Sequence, residues 1–113
     1  MPLFIKTEKF NQETLDMRHI ERREYLIKHK EWVKSLIKNG INIFSGYLTN
    51  EDNIPGGGGV LILEANNFEE AKLVIMKDPM IKNNLVSWQL NILVPIVSGD
   101  LFKNFIISED KFL

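Results

Sequence analysis

The chain has 113 residues, a length that suits one domain with a single hydrophobic core. Its net charge of −1 argues against a surface built mainly to hold nucleic acid, and its lack of cysteine excludes disulfides, thiolate nucleophiles and cysteine-ligated metal centres. No apolar run approaches the roughly 20 residues that cross a bilayer, and the N-terminus does not resemble a secretory signal. We therefore expect a cytoplasmic protein with neither nucleic acid nor membrane as a partner.

The apolar residues predict four strands and two main helices, in the order β-α-β-β-α-β. The strands are short apolar or alternating runs, whereas the helices have apolar residues at steps of three and four. Gly40 is expected to end the first helix, because glycine adopts the left-handed conformation that closes a helix. The predicted elements are a strand at 3–7, a helix at 14–39, a strand at 41–48, a loop at 49–58, a strand at 60–65, a helix at 67–77, a turn or short helix from Asp78-Pro79, and a strand at 87–97.

This order of elements is that of the ferredoxin-like fold, an α+β fold with two helices on one face of an antiparallel sheet. The other face of such a sheet needs a cover, and the segment 99–113 is rich in large apolar residues. We expect one domain at 1–98 followed by an apolar C-terminal extension at 99–113. We also predict that a second copy of the chain buries the open sheet face, the extension or both.

His29 lies on the apolar side of the first predicted helix, four residues after Tyr25 and three before Trp32. A lone histidine in such a place is more often a satisfied structural residue. The alternative is a general acid or base, since imidazole exchanges protons near neutral pH. His19 lies nearly three helical turns earlier, about 15 Å away. The two histidines therefore cannot share a metal ion within a monomer, and no metal site is predicted.

Asp78 has two compatible interpretations. An aspartate before a proline commonly caps the start of a helix, and the same carboxylate could orient His29 and raise its basicity. A capping carboxylate is rigidly placed, which suits the second role. No Ser-His-Asp nucleophile motif is evident in the sequence.

Four aromatic residues, Tyr25, Trp32, Tyr47 and Trp88, could line a pocket for a planar ligand, although packing in the core is the usual role of such residues. The glycine run at 56–59 does not suit a phosphate loop, because a strand follows it and no lysine is near. A flexible connection between strands is the better interpretation of these glycines.

Several motifs resemble the YCII-related domain family, also called YciI-like proteins. The resemblance begins at His29 and covers roughly residues 3–97. Each motif alone is weak, but their order and spacing together are fairly specific. The matching residues are His29, Val33, Leu36, Gly40, Gly46, the glycines ending at Gly59, Glu64-Ala65, 68–71 (FEEA) and 78–85 (DPMIKNNL).

The resemblance implies a ferredoxin-like fold that pairs as a dimeric α/β barrel, with an active site built on a histidine and an aspartate, here His29 and Asp78. Two departures stand out. Tyr47 replaces a usual proline and changes the pocket wall. Asn83-Asn84 replaces a usual Ala-Gly, although asparagine also adopts the left-handed conformation.

The expected function is that of a cofactor-free homodimeric enzyme that acts on a small molecule through an elimination, isomerisation or lyase step. His29 would move the proton and Asp78 would orient it. The alternative is a non-catalytic dimer that binds a metabolite or a protein partner, and a pocket open to solvent beside His29 would separate the two. A cofactor-independent oxygenase rests on fold analogy alone. The expected substrate-binding residues are Tyr25, Trp32, Tyr47 and Gly46.

Overall fold

A computed structural model describes residues 1–100, which form a four-stranded antiparallel sheet with helices on one face. The strand order is β2-β3-β1-β4, so β2 and β4 are the edges of the described sheet. The predicted α+β, ferredoxin-like fold is confirmed, and the sheet of the single chain is open rather than closed into a barrel. The elements are β1 (Leu3–Phe10), α1 (Gln12–Asp16), α2 (His19–Lys38), β2 (Ile43–Thr49), β3 (Pro55–Glu64), α3 (Phe68–Ile75), α4 (Pro79–Lys82) and β4 (Val86–Leu93).

Strand alternation gives the sheet a helix-covered face and an open face. In the central strand β1, Phe4 and Lys6 lie on the helix-covered face and Ile5 on the open face. The register sets Leu61 of β3 and Leu90 of β4 beside Lys6. The core lies between this face and the helices, and each large apolar side chain buried there contributes about 1.5–3 kcal/mol. Its most buried members are Phe4, Leu61, Leu63, Ala71, Ile75 and Met80.

The first predicted helix is two helices. α1 ends at Asp16, and Met17 and Arg18 are extended, with ψ of 147° and 142°. Arg22 spans the break by donating hydrogen bonds to the carbonyls of Thr14 and Leu15, 3.4 and 3.3 Å away. The periodicity of apolar residues could not reveal this break, because Met and Arg both favour helices. α2 closes at Gly40 with a φ of 86°, as its sequence predicts.

The glycine run is part of a strand, so its interpretation as a flexible connection is wrong. Gly58 and Gly59 pair with Lys9 and Glu8 of β1, and Gly59 also pairs with Tyr47 of β2. Pairing on both sides holds these residues extended despite their low strand propensity. The connection between β2 and β3 shrinks to five residues, 50–54.

The ends of the described chain limit two other predictions. β4 stops at Leu93 rather than at residue 97, since Pro95 cannot donate a ladder hydrogen bond. The predicted extension at 99–113 lies outside the described residues apart from its first two, so the division into a domain and an extension stays a prediction. Within residues 1–100, none of the helices has the length and hydropathy to cross a membrane.

Candidate active site

A row of four hydrogen-bonded side chains crosses the helix-covered face, from β1 to the edge strand β2. Lys6 Nζ donates to Asp78 Oδ2 at 2.6 Å, and Asp78 Oδ1 lies 2.8 Å from His29 Nδ1. The other ring nitrogen of His29, Nε2, lies 2.8 Å from Ser45 Oγ. The fold thus brings His29 and Asp78 together across 49 residues of sequence. It adds Lys6 and Ser45, which the sequence analysis did not select.

Asp78 is fully buried, and its carboxylate has three hydrogen-bond partners: Lys6, His29 and the backbone of Met80. It caps α4, where its Oδ1 also accepts the backbone N–H of Met80 at 2.9 Å. The predicted cap is confirmed, and the capping carboxylate also hydrogen-bonds to His29, whereas its role in raising the basicity of the imidazole stays a prediction. A carboxylate fixed by the start of a helix keeps one orientation towards the imidazole.

His29 projects from the middle of α2 and its side chain is 14% exposed. The ring of Trp32, one turn further along, lies 5.8 Å away at 45°. The imidazole is therefore mostly covered but not sealed from solvent. This partial exposure matches what an acid–base group needs, because it must be shielded by its surroundings and still reach a ligand.

Charge in the site is carried by Lys6, Asp78 and Glu8. Burial alone raises the pKa of the Asp78 carboxyl, but the hydrogen bond from His29 and the positive charge of Lys6 outweigh it, so the pKa lies below its ordinary value. Lys6, fully buried, also pairs with Glu8 Oε1 at 3.2 Å. Glu8 Oε2 is buried and accepts no hydrogen bond from any group within residues 1–100. With both carboxylates ionised, the cluster holds two negative charges against one positive charge.

The ionised Asp78 fixes which nitrogen of His29 carries the proton. A carboxylate accepts hydrogen bonds and donates none, so His29 Nδ1 donates to Asp78. In the neutral imidazole, Nε2 then has a free lone pair, and the Ser45 hydroxyl donates to it. The site therefore presents a proton acceptor at the end of the row that faces β2.

The expected substrate-binding residues differ in how near they lie to this row. Trp32 is half-buried beside His29, and Tyr25 is half-buried against the core with Lys28 5.4 Å from its ring centre. Tyr47 shares the strand face of Ser45 but is 72% exposed. Gly46 lies on the other side of β2 by strand alternation. Substrate contacts by these residues stay predictions.

Lys6 and Ser45 were missed for different reasons. Alternation in β1 puts Lys6 on the same face as Phe4, and a lysine on a covered face needs a buried partner. The alternation of β1 is therefore a local sequence signal for a buried partner of Lys6. Ser45 shares a face with Ile43, yet nothing local relates a serine in one strand to a histidine on a helix.

Among residues 1–100, no three side chains of His, Asp or Glu come together in an arrangement that could hold a metal ion. The row described above combines a lysine, one carboxylate, one imidazole and a hydroxyl, which suits proton transfer rather than ligation.

Solved structures of other proteins are similar to this chain. The 5-chloro-2-hydroxyhydroquinone dehydrochlorinase of Burkholderia phenoliruptrix AC1100, solved in complex with 2,5-dihydroxybenzoquinone, is 22% identical, with a TM-score of 0.63 over 82% of this chain and 94% of that one. A de novo designed protein, Ferredog-Diesel, is 19% identical, with a TM-score of 0.53 over 80% of this chain and 84% of that one. A dimeric ferredoxin-like protein from an uncultured marine organism is 15% identical, with a TM-score of 0.46 over 88% of this chain and 100% of that one.

No protein-family model matches the chain, and no curated protein matches it either. At these identities the first two structures establish the ferredoxin-like fold and nothing more specific.

Proposed function

We propose that this protein is an acid–base enzyme for a small molecule, in which His29 moves a proton and Asp78 orients the imidazole. The observation that carries the proposal is the 2.8 Å contact between His29 Nδ1 and a buried, ionised Asp78. A base held by a carboxylate in this way has a defined tautomer and a fixed direction of attack. We also propose that the chain is a divergent YCII-related protein, on the order and spacing of the motifs around these two residues.

In the proposed reaction, a substrate displaces the Ser45 hydroxyl from His29 Nε2 and gives a proton to that nitrogen. The imidazolium that forms lies beside Asp78, and the excess negative charge of the cluster stabilises it. The same proton can return to another atom of the substrate, which completes an isomerisation, or can leave with an eliminated group. A positioned acid–base group contributes about 10²–10⁴-fold to such a step, and proton transfer of this kind needs no cofactor.

The proposed substrates are small hydroxylated compounds with a carbonyl or quinone group. A carbonyl acidifies neighbouring protons, so that a histidine can remove them. Glu8 Oε2 supports this class, because it is a buried acceptor without a protein donor in the described chain and would suit a substrate hydroxyl. The fold shared with a dehydrochlorinase that binds 2,5-dihydroxybenzoquinone supports the choice of quinones as the first probes.

We further propose that the protein works as a homodimer. The open face of the sheet carries a row of apolar side chains from three strands, Ile5, Ile62 and Phe44, which the register places side by side. Leu48 lies on the same face, and both it and Phe44 are 56% exposed. Apolar area of this kind favours contact with another sheet, as in a dimeric α/β barrel.

The test of the proposed chemistry is turnover of 5-chloro-2-hydroxyhydroquinone and related hydroxyquinones, followed by absorbance. We expect His29→Ala to lower kcat/KM by about 10²–10⁴-fold, because it removes the proton acceptor. Asp78→Asn is expected to lower it as well, since an amide cannot impose the same tautomer. The matched control is His19→Ala, a change at an exposed histidine at the start of the same helix.

Full activity in a folded His29→Ala variant would contradict the proposal. Binding of the probes without turnover, equal in the wild type and in His29→Ala, would instead support the alternative of a non-catalytic binding protein. Thermal unfolding of each variant shows that a loss of activity is not a loss of the fold.

A further inference from the structure

We propose that Ser45 is a nucleophile activated by His29 and Asp78, and that the protein hydrolyses small carboxylic esters through an acyl-Ser45 intermediate. This second activity rests on the proposed function, because it uses the same imidazole and carboxylate. It adds a covalent step that the acid–base reaction does not contain.

The geometry of the three side chains is that of an activated nucleophile. Ser45 Oγ lies 2.8 Å from His29 Nε2, and His29 Nδ1 lies 2.8 Å from Asp78 Oδ1. A hydroxyl within hydrogen-bond reach of a base, with the base oriented by a third group, is the arrangement that serine nucleophiles require. The direction of each hydrogen bond also fits, since Ser45 donates to Nε2 while Nδ1 donates to Asp78.

Exposure of these residues increases from the carboxylate to the hydroxyl. Asp78 is fully buried, the His29 side chain is 14% exposed, and Ser45 is exposed. An ester can therefore approach Ser45 from solvent, while the carboxylate that orients the base stays shielded from water. A merely structural hydrogen bond would not need its outer member at the surface.

The backbone around Ser45 offers donors for the oxyanion. β2 is an edge strand, so within residues 1–100 every second N–H along it points away from β3. The Glu64 N–H donates to the Asn42 carbonyl, so the alternation of the ladder turns the N–H of Gly46 towards β3 and the N–H groups of Ser45 and Tyr47 away from it. The N–H of a nucleophilic serine can itself be an oxyanion donor, and the outward N–H of Ser45 on this edge strand leaves room for the substrate carbonyl beside it.

The reaction balances without any further reagent. Ser45 Oγ attacks the carbonyl carbon as its proton passes to His29 Nε2, which gives a tetrahedral oxyanion and an imidazolium. The bond to the alcohol oxygen breaks, Nε2 returns the proton to that oxygen, and the acid remains as an ester of Ser45. Water attacks this ester by the same route and restores Ser45, so that ester and water become acid and alcohol.

Two other serines in the described chain provide matched comparisons. Ser35 lies on α2, where its Oγ donates to the carbonyl of Trp32 at 2.7 Å. Ser87 is an exposed residue of β4, the other edge strand. Neither makes a hydrogen bond to a histidine in the structure. Activation by His29 therefore predicts that Ser45 reacts and that Ser35 and Ser87 do not.

The test uses p-nitrophenyl acetate and phenylmethanesulfonyl fluoride on the full-length protein. We expect a burst of nitrophenolate with the wild type and with Ser87→Ala, and no burst with Ser45→Ala. Peptide mapping by mass spectrometry should place the sulfonyl group on Ser45. His29→Ala should slow both modifications by about 100-fold or more, because it removes the general base.

Nitrophenolate release at the wild-type rate by Ser45→Ala, or labelling of lysines with none at Ser45, would overturn the proposal. Turnover of the hydroxyquinones by His29→Ala tests the proposed acid–base function separately. If His29→Ala keeps that turnover but loses the labelling of Ser45, the proposed acid–base function fails and the nucleophile stands. If His29→Ala loses the turnover while Ser45 is unreactive in the wild type, the acid–base function stands and the proposed nucleophile fails.

Discussion

Each of the two faces of the sheet departs at a few positions from the usual distribution of polar and apolar groups. Under the helices, where an apolar core is expected, Lys6 and Asp78 are fully buried as ions. On the open face, where polar side chains are expected, Phe44 and Leu48 are 56% exposed. A buried ion pair adds little net stability compared with an apolar core, and an exposed apolar row adds none to a monomer. Each departure from the usual pattern is what one of the two proposals requires, chemistry on one face and assembly on the other.

The two faces also differ in whether their unusual groups have partners within the described chain. The charges under the helices are satisfied largely within the chain, by hydrogen bonds of 2.6–2.8 Å among Lys6, Asp78 and His29. The row of Ile5, Ile62 and Phe44 has no comparable cover among the described elements. Within residues 1–100, the polar row under the helices leaves one buried side-chain acceptor, Glu8 Oε2, without a donor, whereas the apolar row of the open face is not covered by another element.

The largest expected effect is on the helix-covered face. Lys6→Met leaves the Asp78 carboxylate buried without its cation, and removal of one partner of a buried pair costs about 3–5 kcal/mol. Urea unfolding at neutral pH measures this loss. The control is Lys9→Met on the same strand, an exposed position on the other face, where a change within about 0.5 kcal/mol is expected. Equal stability of the two variants would show that the buried pair does not stabilise the protein.

An intermediate effect is expected on the open face. Phe44→Glu places a charge in the middle of the proposed dimer contact and should weaken the dimer by about 100-fold or more, since burial of an unpaired charge costs about 3 kcal/mol or more. Sedimentation velocity measures the dissociation. Leu73→Glu on α3 is the control, because Leu73 is 68% exposed on the helix side of the sheet. A wild-type protein that sediments as a monomer at high concentration would contradict the assignment of this face.

The smallest expected effect is a loss of stability at acidic pH. The pKa of Asp78 is lower in the folded chain than its ordinary value, so its contribution to stability is complete above about pH 3.9 and is lost as the pH falls through the folded-state pKa. The difference in stability between the wild type and Asp78→Asn should therefore shrink below about pH 4. Urea midpoints measured along a pH series show this. Exposed Asp52→Asn should follow the wild-type curve, and a constant difference across the series would refute the role of Asp78 ionisation.

Local signals in the sequence were enough to predict the fold class and the placement of His29 and Asp78 on their helices. Helical spacing put His29 on the inner side of α2, and Asp78 before Pro79 indicated a helix start. Asn84 adopts the left-handed conformation with a φ of 55°, which asparagine tolerates better than most residues. Each of these features is determined within a few residues of sequence.

The features that the sequence did not predict depend on contacts between distant segments. Gly58 and Gly59 of β3 are extended because neighbouring strands pair with them, and the ends of α1 and α2 depend on Arg22 reaching across the break. Lys6 and Ser45 join the site through partners 72 and 16 residues away in the sequence. Propensity and periodicity describe single segments, so they cannot state which side chains of two segments will meet.

The wide sequence separation within the polar row has a consequence for how the protein matures. Its three hydrogen bonds join β1, α4, α2 and β2, across 72, 49 and 16 residues. Loop-closure entropy opposes such distant contacts until most of the chain has docked. A nascent or partly unfolded chain therefore carries an ordinary histidine and an ordinary serine, and the reactive pairing exists only in the fully assembled domain. The proposed reactivity at this site is therefore expected only from the completely folded domain.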